Sequence, residues 1–325
     1  MIVIIYKRLG NTEIEVSVVA LGCWAFGGDA MWGQQNDEDS IAAVNTALDK
    51  GINFFDTAEA YGNSEKVLGK ALLGKREGLV IATKPVPGRM TKEEIIKACE
   101  DSLERLQTDY IDLYQIHWPN HTIPFEETME GLLRLKEQGK IRAVGVCNFG
   151  NSDLNGILKA GRIETNQISY NLIWRAIEYS IQETCIKNDV GIMCYSPLMH
   201  GILTGKYHTA DDVPDSRART KHFSQSRTPN GAGFEEETFE AINRIRKISK
   251  ECGISMSYLS VLWLLHQKGI VSVLAGGRNS EQVKENADII KMKITEDVIR
   301  ELTLATDSLK EKLGPNADMW RNRIT

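Results

Sequence analysis

Four side chains that can move protons or stabilise charge lie at or near the ends of three consecutive apolar segments. Asp56, Lys84 and His117 each end one segment, and Tyr61 follows Asp56 by five positions. The segments have the length and apolar content of buried strands, and consecutive strands of this kind bring their ends to one edge of a sheet. We therefore expect the four side chains to lie close together. The three segments are 52–56, 79–84 and 111–117.

The chemistry available to this set is the protonation of an oxygen. A tyrosine has an unperturbed pKa near ~10, and an adjacent ammonium lowers that pKa and makes the phenol a better proton donor. A carboxylate keeps the lysine charged, and a histidine can orient a carbonyl oxygen by donating a hydrogen bond. Because the set holds no nucleophile, it predicts protonation of an oxyanion while hydride from a nicotinamide cofactor attacks the carbonyl carbon.

Apolar strand segments and amphipathic helical segments alternate along the chain. Eight such units predict parallel strands, right-handed crossovers and a closed (β/α)8 or TIM barrel of the α/β class, as a single domain over residues 1–325. An open doubly wound sheet fits less well, because no strand is followed by G-x-G-x-x-G. A short hairpin over 4–7 and 14–17 precedes the barrel. The predicted strands are 18–21, 52–56, 79–84, 111–117, 141–146, 165–169, 190–195 and 270–274, and the predicted helices lie near 39–50, 63–73, 92–106, 125–138, 151–159, 178–188, 234–251, 255–267 and 280–290.

One long segment, 201–233, interrupts the alternation after the seventh strand. It has little apolar periodicity, and we expect it to lack apolar anchors. Long loops of compact domains are often functional lids. Two interpretations follow: a mobile, solvated insertion, or a lid that becomes ordered when an anionic cofactor binds. The basic residues of the segment are Lys206, Arg217, Arg219, Lys221, His222 and Arg227.

Composition and charge limit the class of protein. The 325 residues carry a formal net charge of −5, which argues against a nucleic-acid binder. No apolar run approaches the ~20 residues that a membrane span requires, and the first residues lack a signal-peptide pattern. The six cysteines form no C-x-x-C pair, and the remaining histidines show no metal-ligand spacing and receive no role. We expect a cytoplasmic protein that binds no metal. Those histidines are His121, His200, His208, His222 and His266.

Six motifs occur along the chain in an order that is typical of one family. They are 55–62, 82–84, 112–119, 139–149, 167–171 and 195–198. Together they resemble the signature segments of the aldo-keto reductase superfamily, and the segment 22–28 resembles its bacterial general-stress-protein-like members. The resemblance implies a (β/α)8 barrel that reduces an aldehyde, ketone or keto-sugar to an alcohol, with Tyr61 as proton donor. It implies NADPH as the cofactor, with NADH as the less favoured alternative.

The same resemblance implies a cofactor site. Asn148 and Gln167 would hold the nicotinamide carboxamide, and Tyr195 would stack on the nicotinamide ring. Arg278 would contact the 2′-phosphate, because a guanidinium matches phosphate oxygens in a fork. The residues along the pyrophosphate would be Ser196, Leu198, Gly201 and Lys206, and those at the adenosine end would be Gly276, Gly277, Gln282, Glu285 and Asn286.

Three tryptophans are expected to wall the substrate pocket, namely Trp24, Trp32 and Trp118, and Trp24 is also expected to touch the cofactor. Two cysteines depart from the family pattern. Cys147 stands where a serine usually hydrogen-bonds the carboxamide, and a thiol is a weaker donor. Cys23 stands in place of a common threonine. We expect looser cofactor orientation at Cys147 but no loss of binding.

Two other functions remain open at the level of sequence. A potassium-channel β subunit, a relative of this family, keeps the barrel and cofactor but serves as a binding partner. A sugar epimerase, isomerase or dehydratase would keep its cofactor bound and consume none. The intact set of Asp56, Tyr61, Lys84 and His117 favours a reductase. The particular substrate and the oligomeric state are not determined by the sequence, because specificity lies in variable loops.

Overall fold

The computed structural model describes residues 4–28, 31–229 and 231–320. Eight parallel strands form a closed barrel, with β3 paired to β10 (Val19 to Val273 and Gly22 to Gly276). The prediction of a (β/α)8 barrel is confirmed. The barrel strands are β3 (Val19–Gly22), β4 (Phe54–Asp56), β5 (Val80–Thr83), β6 (Ile111–Ile116), β7 (Ile141–Cys147), β8 (Thr165–Ser169), β9 (Gly191–Tyr195) and β10 (Ile270–Gly276).

An antiparallel hairpin precedes the barrel, formed by β1 (Tyr6–Arg8) and β2 (Glu15–Ser17). Leu9 and Val16 of this hairpin are fully buried and belong to the same apolar cluster as Phe54 inside the barrel. The hairpin therefore contributes apolar side chains to the barrel interior as well as preceding it in the chain.

Helices between and after the strands cover the outside of the barrel and bury a second, larger apolar cluster against it. The helix α3 shows how the sequence sets their bounds: Thr91 and Glu94 form a capping box, and Gln107 ends the helix in the left-handed conformation. The helices are α1 (Asp37–Asp49), α2 (Ser64–Leu72), α3 (Lys92–Leu106), α4 (Phe125–Glu137), α5 (Asn151–Ala160), α6 (Ile181–Lys187), α7 (Glu235–Cys252), α8 (Met256–Leu265), α9 (Ser280–Asp288) and α10 (Glu296–Leu313).

Two parts of the helical prediction differ from the structure. The segment predicted as one helix near 178–188 is a short 3-10 turn, Ala176–Tyr179, followed by α6. The helix α10 was not predicted, because the count of strand and helix units ended at α9. Its signals are present, with Thr295 capping the first turn and Leu302 and Leu309 on the buried face.

The insertion 201–233 is folded against the barrel in the part that the structure describes, which leaves out residue 230. Ile202, Leu203 and Phe223 are fully buried. The His222 ring contacts the Ile173 carbonyl at 2.8 Å, which ties the insertion to the barrel. The expectation that the insertion lacks apolar anchors is therefore wrong: it has apolar anchors without helical periodicity. No helix in the described ranges has the length and apolarity that crossing a membrane requires.

Candidate active site

The four predicted catalytic side chains lie at the C-terminal ends of adjacent strands. Asp56 is the last residue of β4, Lys84 follows β5 directly, and His117 follows β6 directly. Tyr61 lies in the loop between β4 and α2. This is the face on which (β/α)8 enzymes carry their active sites. A cavity of about 840 Å³ opens there, within the range of small-molecule sites.

Asp56 and Lys84 form a buried ion pair. The Lys84 Nζ donates to Asp56 Oδ1 at 2.8 Å and to the Thr57 carbonyl at 2.7 Å. The side chain of Lys84 is fully buried, and that of Asp56 is nearly so. Desolvation by burial acts to lower the pKa of Lys84, but the charge of Asp56 and further neighbours raise it above its usual value. The ammonium therefore stays charged behind the cavity.

Tyr61 lies next to this ion pair. The Lys84 Nζ is 5.0 Å from the centre of the Tyr61 ring, and the ring stacks on Trp24 at 5.7 Å. Desolvation by burial raises the pKa of Tyr61 to about 12, although the Lys84 ammonium acts to lower it. The expectation of a lowered pKa is therefore wrong in this structure, because burial outweighs the nearby charge. The phenol holds its proton.

His117 stands at the edge of the Tyr61 ring, with the ring centres 5.8 Å apart. Burial, together with the charge of Lys84, lowers the pKa of His117 to about 3. The ring is therefore neutral and carries one N–H. Its Nδ1 atom is buried without a hydrogen-bond partner among the described residues, and His117 lines the cavity. The ring can thus take part in polar contacts with a ligand there.

The second carboxylate oxygen of Asp56 is held by two glutamines. Gln167 Nε2 donates to Asp56 Oδ2 at 2.7 Å, and Gln115 Nε2 lies 3.3 Å from the same atom. The Cys147 thiol donates to Gln115 Oε1 at 3.6 Å, and burial raises its pKa, so the thiol stays neutral. Cys147 is thus directed into the barrel and does not line the cavity. Sequence analysis missed Gln115, although a glutamine within the apolar strand β6 was a visible signal.

The residues expected around the nicotinamide form a connected network. The Tyr195 hydroxyl donates to Asn148 Oδ1 at 2.8 Å, and Asn148 Nδ2 donates to the His117 carbonyl at 3.1 Å. Asn148 and Ser196 adopt positive φ angles of 61° and 54°. Non-glycine residues in this conformation are uncommon and cluster at functional sites.

Basic residues line the stretch expected along the pyrophosphate. His200 and Gly201 have φ angles of 53° and 92°, and a Cβ added to Gly201 would lie 3.2 Å from the Lys206 Nζ. Lys206 is therefore held close to this turn. Arg217 reaches it from the insertion, with its Nη1 donating to the His200 carbonyl at 3.5 Å.

The adenosine end lies at β10 and the start of α9. Asn286 Nδ2 donates to the Gly276 carbonyl at 3.0 Å. The Arg278 guanidinium already has protein partners: its Nε donates to Gln35 Oε1 at 2.8 Å and its Nη1 to the Trp32 carbonyl at 2.7 Å. Its Nη2 donates to the Gln34 carbonyl. Arg278 thus fastens the loop that carries Trp32.

The cavity brings together most of the predicted site residues. Two of them lie outside its lining: Lys84, which is buried behind Tyr61, and Cys147. Sequence analysis missed His200 and Trp320 as lining residues. The predicted residues that line the cavity are Trp24, Trp32, Asp56, Tyr61, His117, Trp118, Asn148, Gln167, Tyr195, Ser196, Leu198, Gly201, Lys206, Gly276, Gly277, Arg278, Gln282, Glu285 and Asn286.

The residues present fit a nicotinamide nucleotide. Two buried ring nitrogens, the Nδ1 atoms of His117 and His200, have no partner among the described residues. Lys206, Arg217 and Arg278 supply positive charge along the cavity, as a polyanionic ligand requires. In the ranges 4–28, 31–229 and 231–320, no group of three or more histidine, cysteine or acidic residues could hold a metal ion.

A closed barrel with a buried lysine and aspartate beside a protonated tyrosine is the arrangement of a nicotinamide-dependent carbonyl oxidoreductase. Residues 18–306 match the model of the aldo/keto reductase family, and the chain belongs to this family. It is an NAD(P)H-dependent oxidoreductase.

Relatives span nearly the whole chain. The chain is 35% identical to the aldo-keto reductase YhdN of Bacillus subtilis, over 95% of this chain and 96% of that protein. It is 31% identical to an NADH-specific methylglyoxal reductase of Escherichia coli, over 89% and 94%. The solved structure of the glycerol dehydrogenase AKR11B4 from Gluconobacter oxydans matches with a TM-score of 0.80 and 32% identity, over 96% of both chains. A Klebsiella pneumoniae aldo/keto reductase in complex with NADP and acetate matches with a TM-score of 0.73 and 26% identity, over 98% and 99%.

Proposed function

We propose that the protein reduces the carbonyl group of an aldehyde, ketone or keto-sugar to an alcohol with NADPH, and that Tyr61 donates the proton. The observation that carries this proposal is the buried Lys84–Asp56 ion pair beside the Tyr61 ring. A buried cation at that position stabilises the negative charge that develops on the phenol oxygen as the proton leaves. Its own charge is secured by Asp56.

The bound nicotinamide supplies the hydride that this chemistry requires. Tyr61 holds a proton for the carbonyl oxygen, and the neutral His117 ring lines the cavity beside it, where it would help to orient that oxygen. Asp56 fixes Lys84, and Gln115 and Gln167 fix Asp56. The aromatic walls exclude water from this corner of the cavity, which strengthens each electrostatic interaction inside it.

The substrate end of the cavity is proposed to lie between the aromatic side chains near Tyr61. Trp24 stacks on Tyr61 and meets Trp32 edge to face at 5.6 Å. Trp118 lines the same cavity. These walls favour carbonyl compounds with an apolar or flat body. The alcohol and carbonyl compounds in the names of the relatives indicate small substrates, but they select no single one for this chain.

NADPH is proposed over NADH because one basic residue, Arg278, lines the cavity beyond the stretch assigned to the pyrophosphate. Arg278 lies at the adenosine end, where a 2′-phosphate would add two negative charges. The Schizosaccharomyces pombe aldo-keto reductase yakc, whose name includes NADP(+), is 28% identical over 93% of this chain. The E. coli relative named NADH-specific makes the direct comparison of both cofactors necessary.

The test is a panel of aldehydes, ketones and keto-sugars assayed with NADPH and NADH side by side. We expect net oxidation of NADPH with at least one small carbonyl compound and a lower kcat/KM with NADH. Tight cofactor binding without net oxidation, but with rearrangement of a sugar, would instead support an epimerase. Binding of cofactor with no turnover of any kind would support a regulatory subunit.

A further inference from the structure

Glu59 is a largely buried carboxylate that lies between Asp56 and Tyr61 in the chain, in the β4–α2 connection. Its side chain is 13% exposed. The Val86 backbone N–H donates to Glu59 Oε2 at 2.9 Å, and the Arg89 Nη1 donates to Glu59 Oε1 at 2.7 Å. Both donors belong to the β5–α3 connection. One carboxylate therefore joins the connection that carries Tyr61 to the connection that follows the next strand.

The backbone of Glu59 extends this link to the catalytic lysine. Its N–H donates to the Lys84 carbonyl at 2.9 Å. Tyr61 follows Glu59 by two residues, and the Lys84 Nζ lies 5.0 Å from the centre of the Tyr61 ring. The distance between the proposed proton donor and its cation is therefore set across the same two connections that Glu59 holds together.

The cations that bind the Glu59 carboxylate are themselves held by α3 and α2. The Arg89 Nη2 donates to Asp101 Oδ2, on α3, at 3.0 Å. A second guanidinium, that of Arg105 on α3, lies 3.5 Å from Glu59 Oε1 and forms an ion pair with the buried Glu65 of α2. A guanidinium with a carboxylate at each side of its fork has a fixed orientation. Glu59 is thus attached to helices as well as to a loop.

Close packing holds the Tyr61 backbone from another side. The turn Trp24–Gly27 follows β3, and a Cβ added to Gly27 would lie 2.0 Å from the Tyr61 carbonyl oxygen. A larger residue at that position would have to displace one of the two backbones. The loop that carries Tyr61 is therefore held by a backbone contact at Gly27 and by the side chain of Glu59. Only the second of these can be removed without forcing the backbone apart.

We propose that Glu59 is a positioning residue, which holds the Tyr61 phenol beside the Lys84 ammonium for proton transfer. This inference rests on the proposed function, because it takes Tyr61 as the proton donor. Glu59 lies outside the lining of the cavity and transfers no proton to the substrate in this assignment. It acts on the place of the phenol, and a displacement of about 1 Å can cost roughly 10²-fold in rate.

Two substitutions of Glu59 separate its contacts. Glu59→Ala removes both acceptor atoms. Glu59→Gln keeps an oxygen for the Val86 N–H but removes the charge that faces Arg89. Each substitution is made in the wild type and in the Tyr61→Phe background. Stopped-flow single turnovers with 4-nitrobenzaldehyde give the rate of reduction, fluorescence titration gives the dissociation constant for NADPH, and circular dichroism checks folding.

A control with the same chemistry lies at the opposite end of the barrel. Glu164 directly precedes β8, and its Oε2 accepts from the Asn11 backbone N–H at 2.8 Å and from the Arg162 Nη2 at 3.1 Å. Its side chain is 6% exposed. Glu164→Gln therefore removes a buried charge between a backbone amide and a guanidinium, away from the C-terminal ends of the strands. The single-turnover rate of this variant should equal that of the wild type.

The two backgrounds should respond differently. We expect Glu59→Ala to lower the single-turnover rate by about 10- to 100-fold where Tyr61 is present, and Glu59→Gln to lower it by a smaller factor. In the Tyr61→Phe background the same substitutions should lower the rate by less than about twofold, because residues that act as a unit are not additive. A merely structural role would give the same factor in both backgrounds. The dissociation constant for NADPH should not change.

Two results would overturn the assignment. One is a wild-type rate in Glu59→Ala, and the other is an equal loss with and without the Tyr61 hydroxyl. If Glu59→Ala does not fold, Glu59→Gln carries the same comparison. A wild-type protein that oxidises no NADPH with any carbonyl compound, or a Tyr61→Phe variant with the wild-type rate, would refute the proposed function instead. The two failures are therefore distinguishable.

Discussion

Single residues of the site show that burial and charge oppose each other, and burial wins at Tyr61. The Lys84 ammonium lies close to the phenol, yet the pKa of Tyr61 is raised to about 12. The residue types alone predicted the opposite direction, because desolvation depends on packing that no local pattern reports. In the proposed mechanism, Lys84 then stabilises charge as it forms on the phenol rather than ionising the resting phenol.

Removing the phenol hydroxyl should separate chemistry from binding. In Tyr61→Phe we expect kcat to fall by about 10²–10⁴-fold, as for the loss of a general acid. The dissociation constant for NADPH should stay nearly unchanged, because the hydroxyl is assigned to the substrate. Stopped-flow reduction of a reactive aldehyde and a fluorescence titration measure the two quantities. A variant with more than roughly a third of the wild-type kcat would rule out Tyr61 as donor.

Removing the lysine should affect stability as well as rate. Lys84→Met leaves the Asp56 charge buried without its cation, and breaking one side of a buried pair costs about 3–5 kcal/mol in free energy of unfolding. The double variant Asp56→Asn with Lys84→Met should regain part of this loss, since no charge is left unpaired. Urea unfolding of both variants and of Asp56→Asn alone completes the cycle. Equal stability of Lys84→Met and the wild type would contradict the prediction.

The clustering of Asp56, Tyr61, Lys84 and His117 was predictable because each of the strand-end members follows an apolar run of recognisable length. The contacts of Gln115 and His200 were not predictable, although the glutamine itself stands out within the apolar strand β6. Their partners, Asp56 and Ser196, are reached across the barrel or around a left-handed turn. A short window of sequence predicts neither which residues face each other across the barrel nor where the backbone turns left-handed.

The β10–α9 connection contacts the loop 31–35, which lies in the N-terminal part of the chain. One arginine of that connection holds the loop. Arg278 donates to the Trp32 and Gln34 carbonyls and to the Gln35 side chain. The residue was predicted as a phosphate ligand, and the structure gives it a second task. If the predicted phosphate contact is correct, cofactor choice and the position of the Trp32 wall would both depend on one guanidinium.

The double task calls for a control when cofactor choice is tested. We expect Arg278→Ala to weaken the binding of NADPH by about tenfold or more, since one charge-assisted contact to the 2′-phosphate is lost. The affinity for NADH should stay almost unchanged. Gln35→Ala loosens the same loop without removing charge. It should raise the dissociation constants of NADPH and NADH by the same small factor. Fluorescence titrations give the four constants. Equal weakening of NADPH and NADH in Arg278→Ala would exclude the phosphate role.

The parts of the insertion 201–233 are buried to different degrees and should respond differently to cofactor, because 206–219 is anchored only at Val213 and Ala218 and is otherwise exposed or half-buried. Residues 220–223 include the buried His222 and Phe223, so we expect their amides to be protected from exchange without cofactor. Residues 206–219 carry the basic side chains and should gain protection when NADPH binds. Hydrogen exchange with and without NADPH measures both segments. Identical protection of 206–219 in the two states would refute the lid interpretation.

The whole molecule is a barrel whose closure the alternation of strands and helices predicts well. What escaped prediction is the final part of the chain. The helix α10 and the residues after it return to the active-site face, where Trp174 Nε1 donates to the Ala317 carbonyl and Trp320 stacks on His200. Contacts between residues so far apart in sequence leave no trace in local periodicity, so the sequence could not reveal them.

Three buried histidines make the stability of the whole molecule dependent on pH. Burial lowers the pKa of His117 and His200 to about 3 and that of His222 to about 4. The unfolded chain takes up these protons below its ordinary pKa of about 6.5. The free energy of unfolding should therefore reach its maximum above about pH 6.5. Below that pH it should fall by roughly 1.4 kcal/mol per pH unit for each histidine.

Urea unfolding at steps between about pH 7 and 5 measures this dependence. His200→Asn carries no ring to protonate, so its slope should be smaller than that of the wild type by about one proton. The same slope in the wild type and the variant would show that His200 is not held neutral by the fold.

The pairing of β3 with β10, which closes the barrel, has a consequence for folding during synthesis. A ribosome delivers about 5–20 residues per second, so the interval between Trp24 and Trp320 lasts roughly 15–60 s. For most of that time β3 has emerged without β10, the neighbour that closes the barrel, and throughout it Trp24 lacks the part of the cavity wall that Trp320 contributes. Nascent chains of this protein should thus be clients of chaperones that shield exposed strand edges until synthesis has passed β10.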